Sequence, residues 1–436
     1  MDQRDQNNLN NQSFYKYPKL SKQQTDYLSL LCSPKDSYSA YPIIEFLNNN
    51  PKKHLEALQS AISSLNKNDQ YELFQNTLPK MAQYSLELVE NSPKKQLLIS
   101  KGTIQFTRKE IYQFLSLAFF GLLIAQHDQF PDPCNLTYIL QDSIEKAKCY
   151  LHYFINAREE QENELVTLER ISFNKNYHID HFFPNQKTNS ILDLELWSNC
   201  NKSLKNIEFC DQYIEEQENS FLVDFANKYV GGGVLDYGCV QEEILFTIMP
   251  ENIIAVLFCK VLEDDEVVLI KNSIRYSDYK GYGYSFQFVK REPKNLNQNI
   301  LVLDAQDYSY DSLKQYQPNE ILREINKSFI GFSLSQQLSN EEFLLPISTG
   351  KWGCGVFEGD CELKIIIQLI AFSASIANED QQRKMIFSTF KDKKTNQYQK
   401  VLDDIIKKYK SVGNLFQQLL KMSKKYRVFE FLVNKQ

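Results

Sequence analysis

The 436-residue sequence lacks the features that mark several common classes of protein. Its nine cysteines are scattered and include no CxxC pair, which favours free thiols in a reducing compartment over disulfides or a zinc site. His178 and His181 stand three residues apart without further ligands at metal spacing, so we expect neither a metal nor another cofactor. The net charge of −6 gives no global case for a protein that coats nucleic acid.

Long apolar segments are also missing. The N-terminus is polar and has no apolar signal-peptide core. The most apolar run, Ile111 to Ala125, is shorter than the roughly 20 residues that a membrane span needs, and it predicts a buried helix instead. We expect a soluble, monomeric, intracellular protein without membrane contact. It would be nuclear or cytoplasmic, and no clear basic nuclear-import run decides between the two.

The composition predicts four regions along the chain: a disordered arm over 1–12, helices over 13–175, mixed strands and helices over 176–395, and helices again over 396–436. In the first helical region, "TRKEIYQFLSLAFFGLLIAQ" has a plausible N-cap at Thr107, and "DPCNLTYILQDSIEKAKCYLHYFINAREEQ" predicts one further helix. Strand-like segments are scarce in this region, so we interpret it as an α-helical domain.

Short β-branched and aromatic runs appear after about residue 175. They predict strands at "SILDLEL", "NIEFCD", "FLVDFAN", "EVVLIKN", "NILVLDA", "EFLLPIST" and "KMIFSTF". Helical patterns lie among them at "QEEILFTIMPENIIAVLFCKVL", "NEILREINKSF" and "CELKIIIQLIAFSASI". Short apolar strands mixed with helices favour an α/β sandwich around a mostly buried sheet.

A run of three glycines, Gly231, Gly232 and Gly233, follows the strand predicted through Phe221 to Ala226. Glycines let the backbone approach a ligand closely and turn its N–H groups toward ribose or phosphate oxygens. A flexible turn is the alternative interpretation. The motif is neither a G-x-G-x-x-G fingerprint nor a Walker A loop, which excludes the usual dinucleotide and P-loop assignments.

Gln241, Glu242 and Glu243 begin the next apolar-periodic segment. Acids at a helix start are also explained by the helix dipole alone. Adjacent helix positions point about 100° apart, so we infer that the two glutamates have different tasks, one at a reacting bond and one on hydroxyl groups. A general acid at this place must keep its proton, which burial, a like-charged neighbour and an anionic substrate would favour.

A second glycine-rich segment holds Gly353, Gly355 and Gly359, after a strand predicted to end near Ser348. Asp360 is a plausible cap for the helix that follows. A glycine-rich loop that leads into a helix N-terminus suits an anion. Two such loops suggest a ligand with a diphosphate and more than one ribose.

The segment "VDFANKYVGGGVLDYGCVQEEILF" resembles the signature of the poly(ADP-ribose) glycohydrolases, and "YSDYKGYGYSF", "GKWGCGVFEGD" and "FSTF" follow in that family's order. The resemblance covers about 180–400, and the N-terminal helices resemble the family's accessory domain. It implies a fold of the α+β or α/β class. This would be a macrodomain-like α/β/α sandwich with a mixed central sheet, preceded by an α-helical accessory domain and followed by C-terminal helices.

The implied activity is hydrolysis of the ribose–ribose O-glycosidic bonds of poly(ADP-ribose), free or attached to ADP-ribosylated proteins, with release of ADP-ribose. This reverses ADP-ribosylation and implies a part in the DNA damage response. Glu243 matches the catalytic acid, which protonates the leaving ribose oxygen as an oxocarbenium-like species forms. Glu242 matches its neighbour, which positions ribose hydroxyls, and Asp224 matches an acid of the preceding strand that is also tied to activity.

The resemblance also implies the positions that hold the substrate. Asn227 and Gln241 match ribose-orienting positions, Tyr282 matches a tyrosine on a hairpin that closes over the site, and Phe390 matches the aromatic that stacks on adenine. The remaining implied positions are the glycine run Gly231, Gly232 and Gly233, the diphosphate loop Gly353, Cys354, Gly355, Val356 and Phe357, and Ile214 and Glu215 at the adenine edge.

Two lysines depart from the family's pattern: Lys351 stands where an asparagine is usual, and Lys391 where a glycine is usual. Two other functions stay open. A catalytically weak macrodomain reader of ADP-ribose or its polymer would not need Glu242 and Glu243 together. A glycohydrolase restricted to mono-ADP-ribose would need Tyr282 and its hairpin to leave no room for a polymer.

Overall fold

The computed structural model describes residues 14–48, 54–126, 134–184, 192–292, 297–334, 338–377, 382–390, 397–422 and 427–434. The predicted arm over 1–12 lies outside these residues. The contacts between Cα atoms divide the chain into two units. Unit 1 comprises Met1–Leu168, Tyr229–Val261 and Ile270–Asn297, and unit 2 comprises Glu169–Lys228, Leu262–Leu269 and Gln298–Gln436.

The helices take their labels from chain order. They are α1 (Lys22–Leu31), α2 (Ser37–Leu47), α3 (Glu56–Ser64), α4 (Lys67–Glu72), α5 (Leu78–Asn91), α6 (Arg108–Phe119), α7 (Thr137–Asp142), α8 (Ile144–Asn156), α9 (Leu194–Ser198), α10 (Gln241–Ile248), α11 (Ile253–Phe258), α12 (Pro318–Ser333), α13 (Asn340–Phe343), α14 (Cys361–Ala374), α15 (Tyr398–Tyr409), α16 (Val412–Leu419) and α17 (Val428–Asn434). Single π-helical turns lie at Leu73–Thr77 and Lys175–Ile179, and 3₁₀ turns at Glu159–Gln161, Ile214–Glu216, Pro250–Asn252, Gly283–Ser285 and Lys314–Tyr316.

The strands are β1 (Gly102–Thr107), β2 (Leu165–Ser172), β3 (Glu208–Cys210), β4 (Phe221–Ala226), β5 (Glu266–Ile274), β6 (Ser277–Lys280), β7 (Gln287–Lys290), β8 (Asn297–Asp304), β9 (Ile347–Thr349) and β10 (Met385–Ser388). The eight strands of the main sheet follow the order β1-β2-β5-β8-β4-β9-β10-β3, and β6 pairs with β7 in a separate hairpin. The strands of the sheet run in mixed directions. The pairs β4–β8, β4–β9, β9–β10 and β10–β3 are parallel. The strands β1 and β2 are antiparallel, because Arg108 N–H just after β1 donates to the carbonyl of Glu164 just before β2.

Unit 1 carries α1–α8, α10 and α11, and local capping explains where the helix predicted after Thr107 begins. Thr107 Oγ1 accepts a bond from Glu110 N–H at 3.1 Å, and Glu110 Oε2 accepts one from Thr107 N–H at 2.9 Å, which confirms the predicted cap. The helix ends earlier than its apolar run, at Phe119. The prediction of one helix across Ser143 was wrong, because that residue is non-helical and separates α7 from α8.

Two strands of the main sheet, β1 and β2, were not predicted, since their region was interpreted as helical throughout. After residue 175 the predictions were better. The runs that hold β3, β4, β5, β8, β9 and β10 all contain the expected strand. The strand prediction for "SILDLEL" was wrong over its described residues, 192–196, because Asp193 Oδ1 accepts a bond from Leu196 N–H at 2.8 Å and so starts α9. In "EFLLPIST" only the last three residues form a strand, and the start belongs to α13.

The parallel strands of unit 2 end at one edge, and the candidate ligand positions follow these ends. Asn227 comes after β4, the second glycine loop after β9, and Phe390 after β10. Ligands of open α/β sheets bind outside the carboxyl ends of parallel strands. In the same unit, α14 is buried over nearly its whole length, which explains its largely apolar sequence. Among the described residues, no helix is long and apolar enough to cross a membrane.

Unit 1 contains a buried ion pair. Arg108, at the start of α6, pairs with Glu251, whose side chain is completely buried. Glu251 also accepts bonds from Ile274 N–H at 2.9 Å and from the Tyr276 hydroxyl at 3.3 Å. Burial raises the pKa of the Glu251 carboxyl, and the guanidinium of Arg108 opposes that rise.

We predict that Arg108→Met lowers the free energy of unfolding by about 3–5 kcal/mol, because it leaves a buried carboxylate without its cation. Urea unfolding followed by circular dichroism measures the loss. The double variant Arg108→Met/Glu251→Gln should recover part of it, since the amide oxygen still accepts the Ile274 bond without a charge. A loss below about 1 kcal/mol, as for an exposed pair, would contradict the importance of this pair.

Candidate active site

The acid pair lies in unit 1, at the start of α10. Glu242 and Glu243 are 3% and 6% exposed, so both carboxyl groups are buried although they stand in the first turn of a helix. Val240, at the N-cap, offers no side-chain oxygen, and Glu243 Oε2 accepts the Val240 N–H at 2.9 Å instead. Glu243 therefore caps its own helix, and the structural explanation for an acid at this place holds alongside any chemical one.

The glycine run folds around these two carboxylates. Gly231 N–H donates to Glu242 Oε1 at 2.6 Å, and Gly233 N–H donates to Glu243 Oε1 at 2.9 Å. Gly232 N–H donates to the carbonyl of Tyr229 at 3.0 Å. The sequence suggested that these N–H groups turn toward a ligand. In the structure all three have acceptors within the protein, and two of these acceptors are the acids.

The close approach explains why glycine is needed here. Gly231 and Gly232 have φ values of +90° and +50°, which side chains disfavour. A Cβ on Gly232 would lie 2.5 Å from Glu243 Oε1 and 2.7 Å from Glu242 Oε2. Both carboxyl groups thus converge on one glycine. The 100° between their directions on the helix does not separate them, because each side chain has three rotatable bonds.

The β6–β7 hairpin brings Tyr282 to the same place in unit 1. Its hydroxyl accepts the N–H of Gln241, the first residue of α10, at 3.0 Å, and Gly283 N–H donates to the carbonyl of Cys239 at 2.9 Å. Burial raises the pKa of Tyr282 to about 12, a rise that the Gln241 N–H opposes and Glu243 supports. Tyr282 is therefore a neutral phenol near pH 7, and the structure brings it together with the glycine run, Gln241, Glu242 and Glu243.

Unit 2 holds the other predicted positions. Asp224 is completely buried in β4, opposite Val302 of β8, and Asn227 follows the strand half-buried. Ile214 and Glu215 lie in a 3₁₀ turn with both side chains buried. The carbonyl of Ile214 accepts the Ser348 hydroxyl at 3.1 Å, which attaches this turn to β9.

The second glycine loop of unit 2 is differently built. Gly353 has φ +72°, and a Cβ there would lie 2.6 Å from Ala305 Cβ. The predicted cap is confirmed, since Asp360 Oδ1 accepts the Leu363 N–H at 3.1 Å. Within the part of the chain that the structure describes, the N–H groups of Gly355, Val356 and Phe357 donate to no protein acceptor. Three successive N–H groups are thus left to solvent or to a ligand, unlike those of the first loop.

A buried ion pair supports this second loop, and the sequence analysis missed it. Lys364, in α14, pairs with Glu324 of α12, and both side chains are 1% exposed. Lys364 Nζ lies 4.0 Å from the centroid of the Trp352 ring. A Cβ on Gly353 would lie 3.1 Å from the same Nζ atom. The signal in the sequence was a lysine inside an otherwise apolar helix, "CELKIIIQLIAF".

Phe390 follows β10 in unit 2 with φ +54°, an uncommon conformation for a residue other than glycine. Its ring is 43% exposed, and its centroid lies 5.3 Å from that of Tyr213, a partner that the sequence analysis did not identify. Thr389 holds the preceding turn through a bond to Asp211 Oδ1 at 2.6 Å. A half-exposed aromatic ring on a strained turn is available for stacking. Lys391 lies outside the described residues.

Comparisons with known proteins match both parts of the chain. A family model described as "Poly (ADP-ribose) glycohydrolase (PARG), helical domain" matches residues 65–170, and one described as "Poly (ADP-ribose) glycohydrolase (PARG), Macro domain fold" matches residues 194–397. The chain is 33% identical over 253 residues to poly(ADP-ribose) glycohydrolase 1 of Caenorhabditis elegans, covering 53% of this chain and 31% of that protein. It is 30% identical over 320 residues to probable poly(ADP-ribose) glycohydrolase 2 of Arabidopsis thaliana, covering 64% of this chain and 59% of that protein.

The chain therefore spans less than two thirds of the length of these relatives. A solved structure of a Deinococcus radiodurans poly(ADP-ribose) glycohydrolase variant with ADP-ribose is 14% identical, with coverage of 58% of this chain and 94% of that chain. Its TM-score with this chain is 0.32. The family models confirm the predicted macrodomain-like fold behind a helical domain. Because they match both domain types in order, this protein belongs to the poly(ADP-ribose) glycohydrolase family.

Proposed function

We propose that this protein hydrolyses the ribose–ribose O-glycosidic bonds of poly(ADP-ribose) and releases ADP-ribose. The observation that carries the proposal is the pair of buried glutamates at the start of α10, each held by a backbone N–H of the glycine run. Buried carboxylates are costly, and a domain that only binds ADP-ribose needs no adjacent pair of them. The relatives described above carry the name of this activity.

In the proposed reaction Glu243 is the general acid. Its proton moves to the oxygen of the leaving ribose while the bond from that oxygen to the anomeric carbon breaks. The sugar passes through an oxocarbenium-like transition state, water attacks the anomeric carbon, and the proton of the water returns to Glu243. A carboxyl oxygen has two lone pairs, so one oxygen can carry this proton and still accept its backbone N–H.

The other positions are proposed to hold the substrate. Glu242 binds ribose hydroxyls, and Asp224 supports the reaction from β4. The glycine run keeps the space before both acids clear for a ribose. Asn227 and Gln241 are proposed to contact ribose, and Tyr282 to cover the site. Phe390 is proposed to stack on the face of adenine, and Ile214 and Glu215 to contact its edge. The proposed diphosphate contacts are Gly353, Cys354, Gly355, Val356 and Phe357. The N–H groups of Gly355, Val356 and Phe357, which have no acceptor among the described residues, support the diphosphate assignment.

The family resemblance alone supports the wider proposals. The substrate would be polymer that is free or attached to ADP-ribosylated proteins, and the protein would act as a monomer without binding nucleic acid or membrane directly. Its place would be the nucleus, the cytoplasm or both, in the reversal of ADP-ribosylation after DNA damage.

The direct test compares the wild type with Glu243→Gln on radiolabelled polymer. We expect the wild type to release ADP-ribose and the variant to be at least about 100-fold slower, since its amide has no acidic proton to donate. Binding of ADP-ribose to the variant, by calorimetry, is the control. It is needed because an amide can accept only one of the two N–H bonds that Glu243 accepts. Full activity of the variant would remove Glu243 from its role. A wild type that binds ADP-ribose but releases none would favour the reader.

A second prediction concerns the space between the acids. Gly232→Ala should lower kcat at least about tenfold, because the new methyl group overlaps both carboxyl groups and must displace them. Gly283→Ala is the matched control. That glycine has a similar φ of +58°, but a Cβ there meets nothing within 4 Å, so it adds only a backbone strain of about 1–2 kcal/mol. Equal kcat values for the two variants would contradict the prediction.

A third prediction concerns adenine. Phe390→Ala should weaken ADP-ribose binding by about 1–3 kcal/mol, the free energy of one base–aromatic stack, whereas Phe390→Tyr keeps the ring and should keep the affinity. Calorimetry at constant salt measures both. An unchanged dissociation constant for Phe390→Ala would remove this residue from the adenine site.

A further inference from the structure

Lys146 is a buried lysine in an unfavourable place. It stands in the first turn of α8, where the helix dipole disfavours a cation, and its side chain is only 2% exposed. Burial lowers the pKa of its ammonium group, an effect that Cys239 and Glu243 oppose. Its neighbour Lys148, by contrast, makes a partly exposed pair with Glu145. A position that is adverse in two ways requires strong compensating contacts.

Those contacts come from the loop that follows the glycine run, also in unit 1. Lys146 Nζ donates to the carbonyl of Val234 at 2.9 Å, of Asp236 at 2.9 Å and of Gly238 at 2.5 Å. An ammonium group has three N–H donors and no acceptor, so three carbonyl oxygens satisfy it completely. The loop of residues 234–238 therefore curls around this one cation.

The same loop touches the proposed acid. A Cβ on Gly238 would lie 2.8 Å from Glu243 Cδ, so the backbone of Gly238 packs directly against that carboxyl group. Gly238 N–H and Asp236 N–H both donate to the carbonyl of Gly233, at 3.1 and 3.0 Å. Gly233 in turn donates its own N–H to Glu243. A shift of the loop thus reaches the carboxyl group through Gly233 and Gly238 together.

We propose that Lys146 is a positioning residue for the reaction: its ammonium group holds the loop of residues 234–238 in the shape that fixes the Glu243 carboxyl group. This rests on the proposed function. It also assigns a role to the helical segment that precedes the macro fold. The helix α8 of that segment supplies a cation to the loop of residues 234–238, which has no cation of its own.

The test uses Lys146→Ala and Lys146→Met in the full chain. Both variants should lose kcat on labelled polymer by about 10- to 100-fold, because small misplacements of a catalytic group have effects of that size. ADP-ribose affinity should stay close to the wild-type value. Propylammonium supplies the atoms that alanine lacks and should restore kcat of Lys146→Ala several-fold. It should not restore Lys146→Met, whose side chain fills the space without a donor.

Lys202→Ala is the matched control. Its ammonium group donates to the carbonyls of Ala374 and Ile376 at 2.6 Å each, at the end of α14 in unit 2, and it should keep kcat and show no gain with propylammonium. Melting temperatures above the assay temperature establish that each variant is folded. Wild-type kcat in both Lys146 variants would overturn the inference, and so would an equal loss in Lys202→Ala. An inactive wild type would instead overturn the proposed function itself.

Discussion

The structure of the candidate active site depends on the hydrogen bonds between the glycine run and two buried carboxylates. Buried carboxyl groups need partners, and here the backbone supplies them from Gly231, Gly233 and Val240. A side chain on Gly232 would overlap both acids, so glycine at this position is required by the acids rather than by flexibility. The same bonds explain why a helix can begin with two glutamates and keep both out of water.

The two glycine loops differ in what their backbone N–H groups bind. In the first, the N–H groups are used within the protein, and the loop serves to hold the acids. In the second, the N–H groups of Gly355, Val356 and Phe357 are left without acceptors in the described structure, which suits an oxygen-rich ligand. A buried lysine stands beside the first loop and another beside the second. Lys146 binds three carbonyls of the loop beside the acids, and Lys364, paired with Glu324, lies against Gly353.

Features set by local bonds could be predicted from the sequence, and features set by distant partners could not. The caps at Thr107 and Asp360 follow from bonds that span three residues, and β4 follows from its own apolar run. The strands β1 (GTIQFT) and β2 (LVTLERIS) escaped prediction because polar residues interrupt their apolar ones, so neither has such a run. The role of Lys146 escaped prediction because its acceptors are distant, the first of them 88 residues away. The carboxyl groups of Glu242 and Glu243 converge because the glycine run fixes their side-chain torsions. The periodicity of the sequence contains no information about these torsions.

The central claim is that Glu243, fixed by the backbone around it, acts on the anomeric centre of an ADP-ribose unit. A crystal structure of the protein with ADP-ribose tests this most directly, because the anomeric hydroxyl of the product marks the position of the broken bond. The account predicts that this hydroxyl lies about 2.6–3.2 Å from a carboxyl oxygen of Glu243. A product bound with that hydroxyl away from Glu243, beyond the reach of a single bridging water, would contradict it.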